Sequence, residues 1–421
     1  MKPALVMTLA LGAWAAAAQP ARRAVLIDVD GVRRDTFEQV FAAGRLPNLA
    51  RIFESAVWFE HASTVTPSVT MPAQASIATG TTPAQHGVVG NQWYDREHGR
   101  LYDYMNATGL SCVYGFSVLG GAECLGGLGN RHLLVKTMYE AAAERGLDSV
   151  VAYNQYWKGA SRPAAPTSDE ARAFLPGNKL DFRRFDTQMA GRAVAELQAH
   201  GLPAILTLYF TGADTIAHAS GIAAQADYLA EVIDPLVERV LGVIAGLDPD
   251  WRAHTLFVLT SDHGRTDVVE HAEDLTLLAD LQAALPPGAH VAQSGGMAFL
   301  YLEQPDESLS RRLEEKFPLA VASVRPRAAA ESPRAGDLIV TLRPGHYFGN
   351  TGKGSHHGAP TQNDLNVPLV VAMPGAGSAR MEDAVSVTQV ARTIADYLGF
   401  RWKTLLPRCQ SCTSCAAASP G

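Results

Sequence analysis

The sequence predicts an α/β protein built on a doubly wound, mostly parallel sheet flanked by helices. Two observations carry this prediction: short apolar runs that end in polar or Gly-rich loops, and helical patterns that fall between them. A third gives it a function: residues able to do chemistry cluster just past the ends of those runs.

The runs are residues 24–31, 148–155, 202–210, 254–264 and 367–375. Each is nearly continuous in apolar side chains, as expected of strands buried on both faces. Helical patterns cover 134–145, 185–200, 223–247 and 387–398, and strands alternating with helices imply parallel pairing. Residues from about 268 to 350 break the rhythm with Pro- and Arg-rich sequence and read as an inserted cap subdomain. The stretch 92–132 reads as a long loop, and long loops inside compact domains tend to be functional.

The ends of the chain read differently. A short basic start, an apolar run and Ala16-Ala17-Ala18 before Gln19 have the layout of a signal peptide, residues 1–18. The run is shorter than the roughly 20 residues a bilayer span needs, and no later stretch is long and apolar enough. The expected location is therefore periplasmic or secreted. Residues 19–405 form the expected catalytic domain and 406–421 a Cys-containing tail. Cys112 and Cys124 flank a Gly-rich loop and could close it with a disulfide in such a compartment. Cys409, Cys412 and Cys415 lack a local fourth ligand, so a tail disulfide is favoured over a metal.

A net charge of −7 argues against binding nucleic-acid duplexes, which calls for a basic face. It leaves open a small anionic substrate held locally by metals. Ligands of open parallel sheets bind at the carboxyl ends of the strands. There the sequence places Asp30, then Asp214 and His218, then Asp262 and His263, with His356 and His357 in a later Gly-rich loop. Each residue alone has an ordinary explanation as a turn former or a packed histidine. Together their mixed carboxylate and imidazole donors suit zinc, ahead of manganese or iron, and about six of them suffice for two ions. Thr70, just before Pro72 at a helix start, is either a cap or a nucleophile on residue grounds alone.

The motifs "IDVDG", "PSVTMPAQASIATGTTPAQHGVVGN", "LYFTGADTIAH", "LTSDHG" and "HHG" occur in that order between Ile27 and Gly358. In this order they resemble the nucleotide pyrophosphatase/phosphodiesterase branch of the alkaline phosphatase superfamily. The resemblance implies an alkaline-phosphatase-like fold and a two-zinc hydrolase of small phosphate esters. It implies that Thr70 is the nucleophile and forms a phospho-threonine intermediate. One Zn2+ would be held by Asp30, Asp262 and His263 with Thr70, and the other by Asp214, His218 and His357. Asn91 matches an asparagine that hydrogen-bonds a phosphoryl oxygen, and Tyr209 a tyrosine that lines the substrate pocket. Asp28 shares a strand face with Asp30, and Asp30 is chosen because it precedes Gly31; His357 is chosen over His356 because it adjoins Gly358. His86 reads as a structural loop residue.

Met71 stands where an aromatic commonly follows the nucleophile, which weakens any expectation of base stacking. Thr70-Met71-Pro72-Ala73-Gln74 lacks the arginine context of a sulfatase. The alternative is a phosphate monoesterase with the same Thr nucleophile, which would add a Lys and an Arg for the extra charge. "QYWKGASRP" instead places Trp157 and Gly159 at those positions, although Lys158 or Arg162 could reach the site. Loss of charge-assisted bonds to a dianion favours a diester.

Overall fold

The computed structural model describes residues 21–106, 112–113, 126–164 and 182–400. The leader, Cys124 and the cysteines of the tail lie outside these residues. In chain order the strands begin with β1 (Arg23–Val29), β2 (Val57–Ser63), β3 (Gln92–Asp95), β4 (Arg100–Asp103), β5 (Ser149–Ala152) and β6 (Arg162–Ala164). Next come β7 (Ile205–Phe210), β8 (Thr255–Thr260), β9 (Thr266–Asp267), β10 (His290–Ser294) and β11 (Met297–Tyr301). The last are β12 (Val321–Pro326), β13 (Leu338–Leu342), β14 (Ser355–His356), β15 (Leu369–Ala372) and β16 (Ala379–Ser386).

Eight strands form the main sheet in the order β16-β2-β15-β8-β1-β7-β5-β6. All neighbours are parallel except β15, which runs antiparallel to β2 and β8. Side chains of β1 alternate between two cores: Ala24 and Leu26 enter one, Val25, Ile27 and Val29 the other. Helices cover both faces, which is why the central strands β1, β7 and β8 are apolar without interruption. The five expected strands are β1, β5, β7, β8 and β15. β2, β6 and β16 are not among the expected strands; β16 is largely exposed at the sheet edge, so it lacks a continuous apolar run.

The helical pattern over 223–247 is part of a longer array. Two helical segments joined by a kink at Gly221 (φ +83°) span Gly212–Tyr228, followed by a π-helical turn Leu229–Ile233 and a further helix Asp234–Leu247. The array begins directly after β7 because the chain must reverse at the sheet edge. Within 92–132, β3 and β4 pair as a hairpin and a short helix covers Leu128–His132.

Between β9 and β14 lies a separate four-stranded antiparallel sheet, β10-β11-β13-β12, over its own apolar cluster around Leu281, Leu300, Leu313 and Val340. Its β10–β11 turn packs against the chain at His357 and Gly358; a Cβ on Gly295 would lie 1.9 Å from the His357 carbonyl oxygen. Among the described residues no helix is long and apolar enough to cross a membrane. Cys112 is disulfide-bonded.

Candidate active site

β1 and β8 pair in register, so Asp30 and Asp262 emerge side by side where the strands end. Gly31 turns the chain with φ +70°, and a Cβ there would lie 2.6 Å from Asp214 Oδ1. Only glycine lets this turn close against the helix that carries Asp214. Asp262 Oδ1 accepts the backbone N–H groups of Gly31 (3.0 Å) and His263 (2.9 Å). Among the described residues its other oxygen, Oδ2, is buried with no hydrogen-bond partner, and so is Asp30 Oδ1. Both face His263: its Nε2 is 3.4 Å from Asp30 Oδ1 and 3.8 Å from Asp262 Oδ2.

The second group comes from the start of the Gly212–Tyr228 helix and from the loop after β14. His218 Nε2 lies 3.4 Å from Asp214 Oδ2 and 3.1 Å from His357 Nε2. His357 Nε2 is 3.8 Å from Asp214 Oδ1, and its ring stacks on His263 at 3.7 Å between centroids. The two groups therefore adjoin. His263 Nδ1 donates to the Gly264 carbonyl and His357 Nδ1 to the Ser68 carbonyl, which leaves both Nε2 atoms as unprotonated acceptors, one beside Thr70 Oγ1 and the other beside His218 Nε2. Backbone-oriented imidazoles of this kind are the usual support of metal ligands.

Thr70 sits at the start of the helix Thr70–Thr79, whose N-cap is Val69 and carries no side-chain cap bond. The Thr70 hydroxyl is thus not spent on capping. Its Oγ1 lies 3.4 Å from His263 Nε2, at the junction of the two groups. Asn91 Oδ1 accepts from Met71 N at 2.9 Å, so the side chain is pinned to the same helix start. Tyr209, expected in the pocket wall, is fully buried behind the site. Its hydroxyl donates to Asp30 Oδ2 and accepts from Gln155 Nε2 (3.1 Å), so it orients a carboxylate from behind.

Charge divides the site. Burial pushes the Asp30 carboxyl well above its ordinary pKa, and Asp262 and Asp214 push it the same way. Burial would raise Asp214 too, but His218, Arg265, His357 and His263 hold it below the usual carboxylate range. Arg265 is not among the site residues expected from the sequence. Fully buried, it donates from Nη1 to the Asp214 carbonyl (2.8 Å) and places Nη2 3.0 Å from Asp214 Oδ1. Its position two residues after His263 in "SDHGR" was the available signal. Lys158 and Arg162 turn elsewhere: Lys158 pairs with Glu140 at 3.6 Å, and Arg162 with Asp148 at 2.9 Å and Glu196 at 3.4 Å.

Of the residues in doubt, Asp28 is wholly buried, with neither oxygen within hydrogen-bond geometry of a partner among the described residues; burial, then Asp262, raises its pKa well above the ordinary value, with Gln74 acting the other way. It is a buried acid beneath the Thr70–Thr79 helix. His356 belongs to β14, opposite Thr266. His86 lies among backbone and Ser76 contacts; burial lowers its pKa to about 3.

The donor atoms of Asp30, Asp262 and His263 lie within 4.8 Å of one another, as do those of Asp214, His263 and His357. Orphaned buried carboxylate oxygens beside bare imidazole nitrogens fit divalent cations. Few other partners could offset the buried negative charge.

Residues 24–363 match the family described as type I phosphodiesterase / nucleotide pyrophosphatase. Among solved structures, the chain is similar to phosphonoacetate hydrolase from Sinorhizobium meliloti 1021 (20% identity, TM-score 0.62, covering 90% of this chain and 96% of that one). It is similar to murine ectonucleotide pyrophosphatase / phosphodiesterase 5 (15% identity, TM-score 0.63, 92% and 96% covered). The alkaline phosphatase PafA superposes with TM-score 0.69 at 15% identity, covering 91% and 97%. The chain thus belongs to the type I phosphodiesterase / nucleotide pyrophosphatase family, and it is a metal-dependent phosphoric ester hydrolase with an alkaline-phosphatase-like fold.

Proposed function

We propose that this chain is an exported two-zinc phosphodiesterase of the nucleotide pyrophosphatase type that works through a phospho-threonine at Thr70. The observation that carries the reading is Thr70 Oγ1, uncommitted to capping and 3.4 Å from His263 Nε2 between two ligand groups. Asp30, Asp262 and His263 would hold one ion with Thr70, and Asp214, His218 and His357 the other. When bound, such ions supply the charge that ionises an alcohol and offsets phosphoryl oxygens.

The residues of the chain do the rest. Thr70 Oγ1 forms the new bond to phosphorus as the ester oxygen leaves on the opposite side; water then releases the phosphoryl group from Thr70. The partial positive charge of the Thr70–Thr79 helix start favours the anionic nucleophile. Asn91, anchored through Oδ1, has Nδ2 left to donate to a non-bridging oxygen. Tyr209 and Arg265 hold Asp30 and Asp214 in place.

A diester is favoured over a monoester because Lys158 and Arg162 are both engaged by carboxylates. A nucleotide-type leaving group has support from the murine relative, solved as an inactive threonine-to-alanine variant in complex with AMP. The leader-like first 18 residues and the disulfide at Cys112 support export. The catalytic unit is residues 19–405 with its cap at about 268–350, followed by the tail 406–421. The test compares bis-p-nitrophenyl phosphate, a p-nitrophenyl nucleotide diester and p-nitrophenyl phosphate on zinc-loaded protein. Higher kcat/KM on the diesters supports the proposal; preference for the monoester replaces it with a phosphatase.

A further inference from the structure

A second group of metal-type donors lies away from the catalytic centre. His271 and Glu273 flank the start of a 3-10 turn at Ala272–Leu275, and His346 lies in the loop between β13 and β14. Their donor atoms lie within 4.8 Å of one another. The two imidazoles stack with centroids 4.0 Å apart and planes at 24°. His346 is buried, and its Nδ1 donates to Asp274 Oδ1 at 2.9 Å. Asp274 is itself fully buried and held by Tyr347 N and Asn350 Nδ2.

That arrangement fixes the tautomer of His346: the proton sits on Nδ1, and Nε2 is a bare acceptor. Among the described residues, no hydrogen bond or ion pair engages His346 Nε2, the His271 ring nitrogens or the Glu273 carboxylate. A carboxylate behind a histidine that stands beside two more donors is the support that metal-binding histidines ordinarily have. Two imidazoles and one carboxylate suit zinc, with a fourth position left for water.

We propose that His271, Glu273 and His346 form a third divalent-metal site, oriented by Asp274. It would pin together the two chain segments that lead to the catalytic ligands. The segment from β9 follows His263, and the loop into β14 precedes His357; they already meet through Gly349 N to Asp274 O (3.0 Å) and Asn350 Nδ2 to Val269 O (2.8 Å). A metal there would tie them by side chains as well.

The test is zinc content by mass spectrometry of zinc-saturated, gel-filtered protein. Wild-type protein should hold about one equivalent more than a His271→Ala/His346→Ala double variant. The readout is a difference between two proteins, so it stands whatever the catalytic centre retains. Equal zinc content in the two proteins overturns the site. Should the double variant fail to fold, Glu273→Gln serves instead, since Glu273 is part-exposed and bonded to nothing through its side chain. Titration against a chromophoric chelator should show one zinc weakened about 10-fold or more; unchanged affinity for every zinc overturns the proposal.

Discussion

The two halves of the catalytic centre are built from the same donor types yet solve the problem of buried charge in opposite ways. Around Asp30, Asp262 and His263, two carboxylates converge with two orphaned oxygens and no fixed cation. Around Asp214, His218 and His357, one carboxylate is surrounded by imidazoles and lies 3.0 Å from the Arg265 guanidinium, although its Oδ1 too has no hydrogen-bond partner among the described residues. On the proposed two-ion reading, the first half would leave its charge to a bound dication. The second is largely balanced by the protein itself. The comparison teaches that occupancy need not be symmetric: the Thr70 side should hold its ion more tightly, and chelation should empty the Asp214 side first.

The largest effect expected concerns the hydroxyl that the first half serves. Thr70→Ala should lower kcat by about 10^3-fold or more, since nucleophile removal is the costliest single loss in such sites. Zinc content should stay unchanged, because the carboxylate and imidazole ligands remain. Unaltered turnover would end the nucleophile assignment.

Arg265→Met probes the other half. Removing one partner of a buried ion pair costs about 3–5 kcal/mol, so the metal-free variant should unfold at markedly lower urea. Zinc should restore part of this loss by standing in for the guanidinium. A stability loss equal with and without zinc would break the contrast between the halves.

Tyr209→Phe sharpens the first half. It deletes the hydroxyl that donates to Asp30 Oδ2, and loss of such a supporting bond typically lowers metal affinity about 10–100-fold. Competition with a chelator measures it. If the substitution instead raises KM with metal affinity unchanged, Tyr209 belongs to the substrate pocket after all.

The last test uses His86 as a buried histidine with no ligand role, and its effect vanishes at neutral pH. Its folded pKa is about 3, against an ordinary value of 6.5. A folded pKa below the unfolded one means its stability contribution is complete above the unfolded value. That contribution is lost as pH falls from 6.5 toward 3, at up to about 1.4 kcal/mol per unit. His86→Asn should remove up to one proton from the slope of urea stability against pH in that window. The difference should persist in metal-free protein; if chelation abolishes it, His86 is tied to the centre.

How much of this was legible in the sequence follows from where each residue sits. Strands β1, β7 and β8 are buried on both faces and announce themselves as apolar runs, and the acids just beyond them stand out by contrast. β16 faces solvent and carries no such signal. The ligand positions Asp30, Asp214, Asp262 and His263 follow strand ends that one-dimensional patterns can locate. Tyr209 is the harder case: it lies inside β7, and whether its hydroxyl reaches a pocket or a carboxylate depends on the register of β7 against β1. Arg265 escapes because a buried arginine looks like a surface one until its partner across the fold, Asp214, is known. The His271–Glu273–His346 group is invisible for the same reason, since its members stand on both sides of the inserted sheet.

The most direct test is anomalous diffraction at the zinc edge from zinc-soaked crystals. The account predicts one peak ligated by Asp30, Asp262, His263 and Thr70 Oγ1, and a second by Asp214, His218 and His357, about 4 Å away. Peaks absent from these ligands, or Thr70 Oγ1 outside coordination distance of the first, would contradict it.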